Sequence, residues 1–240
     1  MPSRSKDFYP PEFAEHSLSV LNRVHEEVPD AILIGGWGTW VRTRGAMSHD
    51  IDLIVSRPQL AILGRLTDEM SESRHLDGRK WRGTLDGVHL DLYVPHQSRL
   101  GRELQLRTER LIDRQQVVDS WVVLDRPGHL ATKLAALLDR PDSTPGEKDR
   151  QEIMDLLAQG IDSGDAVRAI HYVSSRPAAE VTELIGGAFR YLGDLELDRA
   201  ERRHLNQLGT QWLKHSLQLA HEQSPRLESG LEHGGPSRGL

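Results

Sequence analysis

The apolar run Ala31-Ile32-Leu33-Ile34 leads directly into Gly35-Gly36, and that junction constrains the fold more than any other stretch of the chain. An apolar run of this length ending at a glycine pair reads as a buried strand that stops in a tight turn. From Trp37 to about Arg44 the spacing is that of a short amphipathic helix, which Gly45 ends. A strand, a glycine turn and a helix N-terminus leave backbone N–H groups that an anion can approach closely. A chain carrying this unit is committed to mixing strands with helices.

The next motif follows at once. Ser48-His49-Asp50-Ile51-Asp52-Leu53-Ile54-Val55 places two carboxylates two residues apart on an extended segment, Ile51–Val55, so both point to one side of a sheet. There they can hold a hard divalent cation, the usual partner of nucleotide phosphates. A phosphate cradle beside such a pair suggests nucleotidyl transfer. A third carboxylate, Asp91, sits in Val88-His89-Leu90-Asp91-Leu92-Tyr93-Val94. Lys80–Leu85 and Val88–Val94 flank Asp86-Gly87, the dipeptide of two-residue hairpins, so both are read as strands. If the second of them pairs beside Ile51–Val55, Asp91 joins Asp50 and Asp52 around two magnesium ions, with manganese as a possible substitute. Asp50 and Asp52 are then shared metal ligands, while Asp91 binds one ion and accepts the nucleophile's proton.

Elsewhere the first half reads as a helix over Pro10–Val28, a helix from Pro58 to about Met70, and a last short strand at Trp121–Leu124. After Pro127 the pattern becomes helical. Segments at His129–Arg140 and Glu147–Ala158 are separated by the loop Pro141–Gly146, and others follow at Ala166–Val173, Ala178–Leu192 and Ala200–His221. The stretch from Ser224 to Leu240, rich in glycine and proline, reads as a disordered tail. The expected class is α+β: a small mixed-sheet domain over residues 1–126, a helical domain over 127–223, and a tail over 224–240.

Composition excludes several alternatives. Among 240 residues there is no cysteine, so disulfides and thiolate metal sites are ruled out and a cytoplasmic location fits. No apolar run is long enough to span a membrane, and the first seven residues lack the apolar core of a secretory signal. A net charge of -6 argues against coating nucleic acid through the overall field. The arginines between Arg99 and Arg114 offer either a local basic groove or an ordinary solvated helix face.

Other residues carry softer signals. Lys133 and Arg140 lie seven apart and share a helix face, as do Lys148, Glu152 and Asp155. Lysines and carboxylates from these two helices either close a cleft over a triphosphate or simply staple the helices together. Ser48 can donate to a γ-phosphate; Arg42 and Arg44 either face the phosphates or cap their helix. Trp37 and Trp40 read as core. His49 and His89 each flank an acidic position and are expected to point away from it.

Gly35-Gly36-Trp37, His49-Asp50-Ile51-Asp52 and Leu90-Asp91-Leu92-Tyr93 resemble the nucleotidyltransferase superfamily with the polymerase-beta-like palm, over about residues 30 to 95. His129–Arg140 with Glu147–Leu157, containing Lys133-Leu134-Ala135-Ala136 and Lys148-Asp149, is similar to the AbiEii type, which includes toxin components of toxin–antitoxin and phage-abortive systems. That resemblance implies a metal-dependent enzyme using an NTP, with Gly35, Gly36, Ser48, Lys133, Lys148 and Asp149 at the nucleotide. Lys133 and Lys148 are expected at the β- and γ-phosphates, and Asp149 is expected to orient a lysine or touch the sugar. It further implies RNA, notably the tRNA 3′ end, as acceptor, and a possible antitoxin partner. Two readings stay open beside it: a small-molecule nucleotidyltransferase acting on an antibiotic, and a non-catalytic binding or antitoxin module.

Overall fold

A computed structural model describes residues 8–223, so the expected tail over 224–240 lies outside the described residues. Helix α1 (Pro11–Glu27) is followed by strand β1 (Ile32–Ile34) and helix α2 (Gly35–Thr43), which starts with no intervening loop. Strand β2 (Ile51–Ile54) leads to helix α3 (Arg57–Leu66), opened by a capping box between Ser56 and Gln59. Then come β3 (Glu69–His75), β4 (Gly78–Leu85) and β5 (Val88–Tyr93). A two-stranded ribbon of β6 (Arg99–Leu100) and β7 (Leu106–Arg107), helix α4 (Thr108–Ile112), β8 (Gln115–Val118) and β9 (Trp121–Leu124) complete the first half. The second half is helical: α5 (Arg126–Asp139), α6 (Thr144–Ala158), α7 (Ser163–Val173), α8 (Ala178–Leu192) and α9 (Arg199–Gln223).

The main sheet has seven strands in the order β3-β4-β5-β2-β1-β9-β8 and is mixed. β2 runs parallel to β5 and β1 parallel to β9, and the other pairs are antiparallel. Alternation along the central strands sorts their side chains into two cores. Leu33, Ile51, Leu53, Leu90 and Leu92 pack with α1, α2 and α3 on one face, where Trp37 is fully buried. Ile32, Ile34, Ile54 and Tyr93 point the other way, into a core they share with α5 to α9. Each such apolar side chain contributes roughly 1.5–3 kcal/mol on burial. Asp52 and Asp91 alternate with Leu53 and Leu92, so both carboxylates lie on the face that the helical half covers.

The class is the α+β expected from sequence, with a larger sheet than foreseen. The helix opened by Pro58 ends at Leu66 instead of reaching Met70, which lies in β3. β3 is a polar edge strand held by β4 alone, and its composition gives no period-2 signal. The arginine-rich stretch from Arg99 to Arg114 is not one helix, and its charges are largely tied up. Arg99 pairs with Glu109 (3.1 Å), Arg114 with Asp125 (2.6 Å), and Arg110 donates to the Tyr172 carbonyl. Among the described residues no helix is long and apolar enough to cross a membrane.

Candidate active site

The glycine turn exists because a side chain there would collide with the carboxylates' own segment. Gly35 has φ +63°, a left-handed conformation that glycine adopts without penalty, and a Cβ on it would lie 2.1 Å from Asp52 Oδ2. A Cβ on Gly36 would lie 2.6 Å from Ser48 Oγ and 3.0 Å from Lys148 Nζ. The sequence pattern therefore closes in space: the start of α2, Ser48 and Asp52 are in contact. Lys148 reaches the same turn from α6, with Nζ 3.3 Å from Ser48 Oγ.

Asp52 is the strained member. Burial, followed by the neighbouring charge of Asp91, pushes its carboxyl up to about 6 from an ordinary 3.8, against the pull of Lys133 and Lys80. Asp50, one residue before β2, is 42% exposed and contacts His49 at 3.3 Å. Asp91 stands in register with Asp52 across the parallel β2–β5 pair. Both its oxygens are engaged by β4: Arg82 Nε donates to Oδ1 at 2.8 Å, Arg82 Nη2 to Oδ2 at 3.2 Å, and Lys80 Nζ to Oδ2 at 2.5 Å. Burial raises the Asp91 carboxyl, but the bonds from Arg82 and Lys80 outweigh it and hold it below the usual range.

From the helical side comes a buried ion network. Lys133 Nζ lies 2.5 Å from Glu152 Oε2 and 3.3 Å from Asp149 Oδ1. Arg140 Nε donates to Asp149 Oδ2 at 2.8 Å, and Lys148 Nζ lies 3.8 Å from Glu152 Oε1. Burial alone would lower Lys133, but Glu152 and Asp149 raise it above its ordinary value, so it stays charged. For Lys148 burial wins and its pKa falls, because Glu152 is shared and farther away. Asp149 thus holds a lysine and an arginine, while Lys133 is enclosed among carboxylates and Lys148 is the cation at the glycine turn.

Two residues without a sequence signal complete the site. His129 of α5 places Nε2 3.2 Å from the Gly35 carbonyl and 3.2 Å from Thr39 Oγ1. Burial pushes its pKa down to about 3, so it is neutral. Among the described residues its Nδ1 has no hydrogen-bond partner, which places the proton on Nε2, donating to Gly35. It pins the turn to the helical half. Tyr9, ahead of α1, packs against His49 with ring centroids 4.0 Å apart and planes tilted by 49°, and Lys148 Nζ lies 4.9 Å from its ring centroid. Burial and then Asp50 raise the Tyr9 hydroxyl pKa.

Other expectations resolve differently. His49 precedes the strand rather than lying in it, and its Nε2 turns toward Asp50. His89 is two residues from Asp91 and therefore shares its face; both histidines belong beside the carboxylates and not opposite them. Arg42 donates to the Leu124 carbonyl and Arg44 pairs with Asp119 at 2.6 Å, so neither serves the turn. Trp37 is core, its indole N–H donating to Ser17 Oγ at 3.0 Å.

For a divalent cation the donor set is split. Asp50 and Asp52 supply hard oxygens, and burial beside Asp91 makes the charged form of Asp52 unfavourable. Asp91 already has cationic partners, and among the described residues no three His, Asp or Glu side chains are grouped as a metal cage. Asp50, whose side chain is 42% exposed, and Asp52 are the carboxylates with no Lys or Arg ion pair among the described residues, whereas Asp91 is engaged by β4.

No protein-family model matches this sequence, and no curated protein matches it. Among solved structures, the chain is similar to JHP933 from Helicobacter pylori at 11% identity and a TM-score of 0.41, over 88% of this chain and 93% of that one. It is also similar to an antigenic nucleotidyltransferase-like protein from Paracoccidioides brasiliensis at 11% identity and a TM-score of 0.43, over 83% of this chain and 93% of that one. At these scores the likeness carries no weight for chemistry.

Proposed function

We propose that this protein is a cytoplasmic, magnesium-dependent nucleotidyltransferase that moves a nucleoside monophosphate from an NTP to an acceptor hydroxyl. The observation that carries the reading is the contact of Gly35 and Gly36 with Asp52 and Ser48, with Lys148 Nζ reaching into the same turn. Amides, a hydroxyl, an ammonium and a carboxylate converge there, with Asp50 two residues from Asp52, a set that suits a metal-bound triphosphate.

In this reading Asp50 and Asp52 hold the cation, which neutralises phosphate charge when bound. The amides of the glycine turn, Ser48 and Lys148 hold the phosphates. Lys133, Asp149, Glu152 and Arg140 fix Lys148 and α6 over them. The acceptor oxygen bonds to the α-phosphorus, the bond to the β-phosphate oxygen breaks, and pyrophosphate leaves. Asp91 takes the acceptor's proton once its ion pairs open. The AbiEii-type resemblance makes an RNA 3′ end, notably that of tRNA, the first acceptor, with a toxin role and an antitoxin partner as its corollaries.

The test is transfer of label from each α-labelled NTP, with magnesium, into total RNA, comparing wild type with Asp52→Ala. Label in a tRNA-sized band that the variant lacks supports the full reading. Absence of label from RNA, and from aminoglycoside and lincosamide acceptors offered in parallel, counts against transfer altogether.

A further inference from the structure

Asp91 has two cationic partners, both from β4. Arg82 and Asp91 are direct cross-strand partners in the β4–β5 pair, and Lys80, two residues along β4, lies on the same face. Lys80 is 14% exposed and Asp91 15%, whereas Arg82 is 58% exposed. Lys80 is the buried partner, bound to Oδ2, while Arg82 holds both oxygens from the solvent side. Arg82 is thus the exposed one of the two cations, beside the carboxylate row Asp52–Asp91.

The surface next to it is built to stay open. Arg82 pairs across to Ser71 and Lys80 to Ser73 on β3, both exposed, on a strand that ends the sheet among the described residues. Ser71 Oγ and Ser73 Oγ lie 3.4 Å and 3.5 Å from the carbonyls of Arg82 and Lys80, so the hydroxyls lie along the strand. On the opposite face of β4, Arg79 is paired with Glu72 at 2.9 Å and Trp81 is buried. The shelf next to Asp91 is thus cationic and polar on the site side only.

Resting on the nucleotidyl-transfer reading, we infer that Arg82 receives a phosphate group of the acceptor, leaving Asp91 to Lys80 when it does so. A guanidinium binds phosphate and carboxylate with the same planar fork, so the exchange replaces one bidentate pair by another. It frees Asp91 Oδ1 only when an acceptor is in place. The ligand chemistry is a phosphate ester, either a phosphomonoester on a small acceptor or the backbone of a nucleic acid.

The experiment measures binding, not turnover. Full-length protein with magnesium and a non-hydrolysable NTP analogue is titrated into a labelled single-stranded oligoribonucleotide, followed by anisotropy at several salt concentrations. The same titration is run with glycerol 3-phosphate as competitor. Arg82→Gln is expected to weaken probe binding about tenfold and to lower the salt slope by about 1, with partial recovery in Arg82→Lys. Arg79→Gln, on the other face, leaves binding unchanged and controls for a general loss of charge. Displacement by glycerol 3-phosphate assigns the monoester as source, and its failure assigns the backbone. Equal affinity of wild type and Arg82→Gln for the probe and competitor, or no binding of either by wild type, overturns the inference. A calorimetric titration of NTP with wild type separates the two ideas: failure there removes the transfer reading, while the anion arm stands or falls on its own data.

Discussion

Asp52 and Asp91 stand opposite each other on the parallel strands β2 and β5, yet only Asp91 is compensated, by Arg82 at 2.8 Å and Lys80 at 2.5 Å. Two like charges side by side in partial burial raise the free energy of the folded state unless a cation joins them. The pair therefore costs stability wherever both carboxylates are charged, and the proposed divalent ion would offset that cost.

That imbalance is measurable as pH dependence. Asp52 titrates near 6 when folded and near 3.8 ordinarily, so between those values the native state holds a proton the unfolded chain has released. Stability falls as pH rises through that window and is flat above it. In chelator, Asp52→Asn should exceed wild type by up to about 3 kcal/mol at about pH 8, the difference shrinking to near zero at about pH 4. Chemical denaturation at both pH values checks this; a variant less stable than wild type at the higher pH contradicts it.

Gly35 tolerates no side chain. Gly35→Ala should cost at least about 1–2 kcal/mol for the left-handed backbone alone. It also displaces Asp52, because the new Cβ would overlap Oδ2 at 2.1 Å. Thermal melting with and without magnesium should show both a lower midpoint and the loss of any metal-induced shift.

Lys133 is expected to matter more for folding than a phosphate ligand would. Its side chain is 6% exposed between Asp149 and Glu152, which are 2% and 1% exposed. Removing it takes the close cation from buried Glu152 and leaves Asp149 with Arg140 alone, a loss of roughly 3–5 kcal/mol. Lys133→Ala should therefore unfold early in denaturant, whereas Lys148→Ala should keep most of its stability and lose nucleotide affinity. Equal stability losses in the two variants contradict this division of labour.

Much of the site was legible because short-range rules fix it. The Asp86-Gly87 hairpin sets the β4–β5 register, which puts Arg82 across from Asp91, a partner that went unread although the turn fixes it. The run Ala31–Ile34 into Gly35-Gly36 gave β1 and α2 because apolar length and glycine punctuation act locally. What stayed hidden depends on long-range packing. His129 reaches the Gly35 carbonyl from 94 residues away, and Tyr9 meets Lys148 only because the start of the chain folds across the site. β3 was invisible since an exposed edge strand needs no apolar face.

The central claim, that the glycine turn, Asp50, Asp52 and Lys148 form a metal-dependent triphosphate site, is tested most directly by calorimetric titration of a non-hydrolysable NTP analogue. Wild type, Asp52→Asn and Lys148→Ala are compared with magnesium and with chelator. The account predicts binding by wild type only with magnesium, none by Asp52→Asn, and affinity reduced about tenfold or more in Lys148→Ala. Binding that persists in chelator, or that both variants retain at wild-type strength, contradicts it.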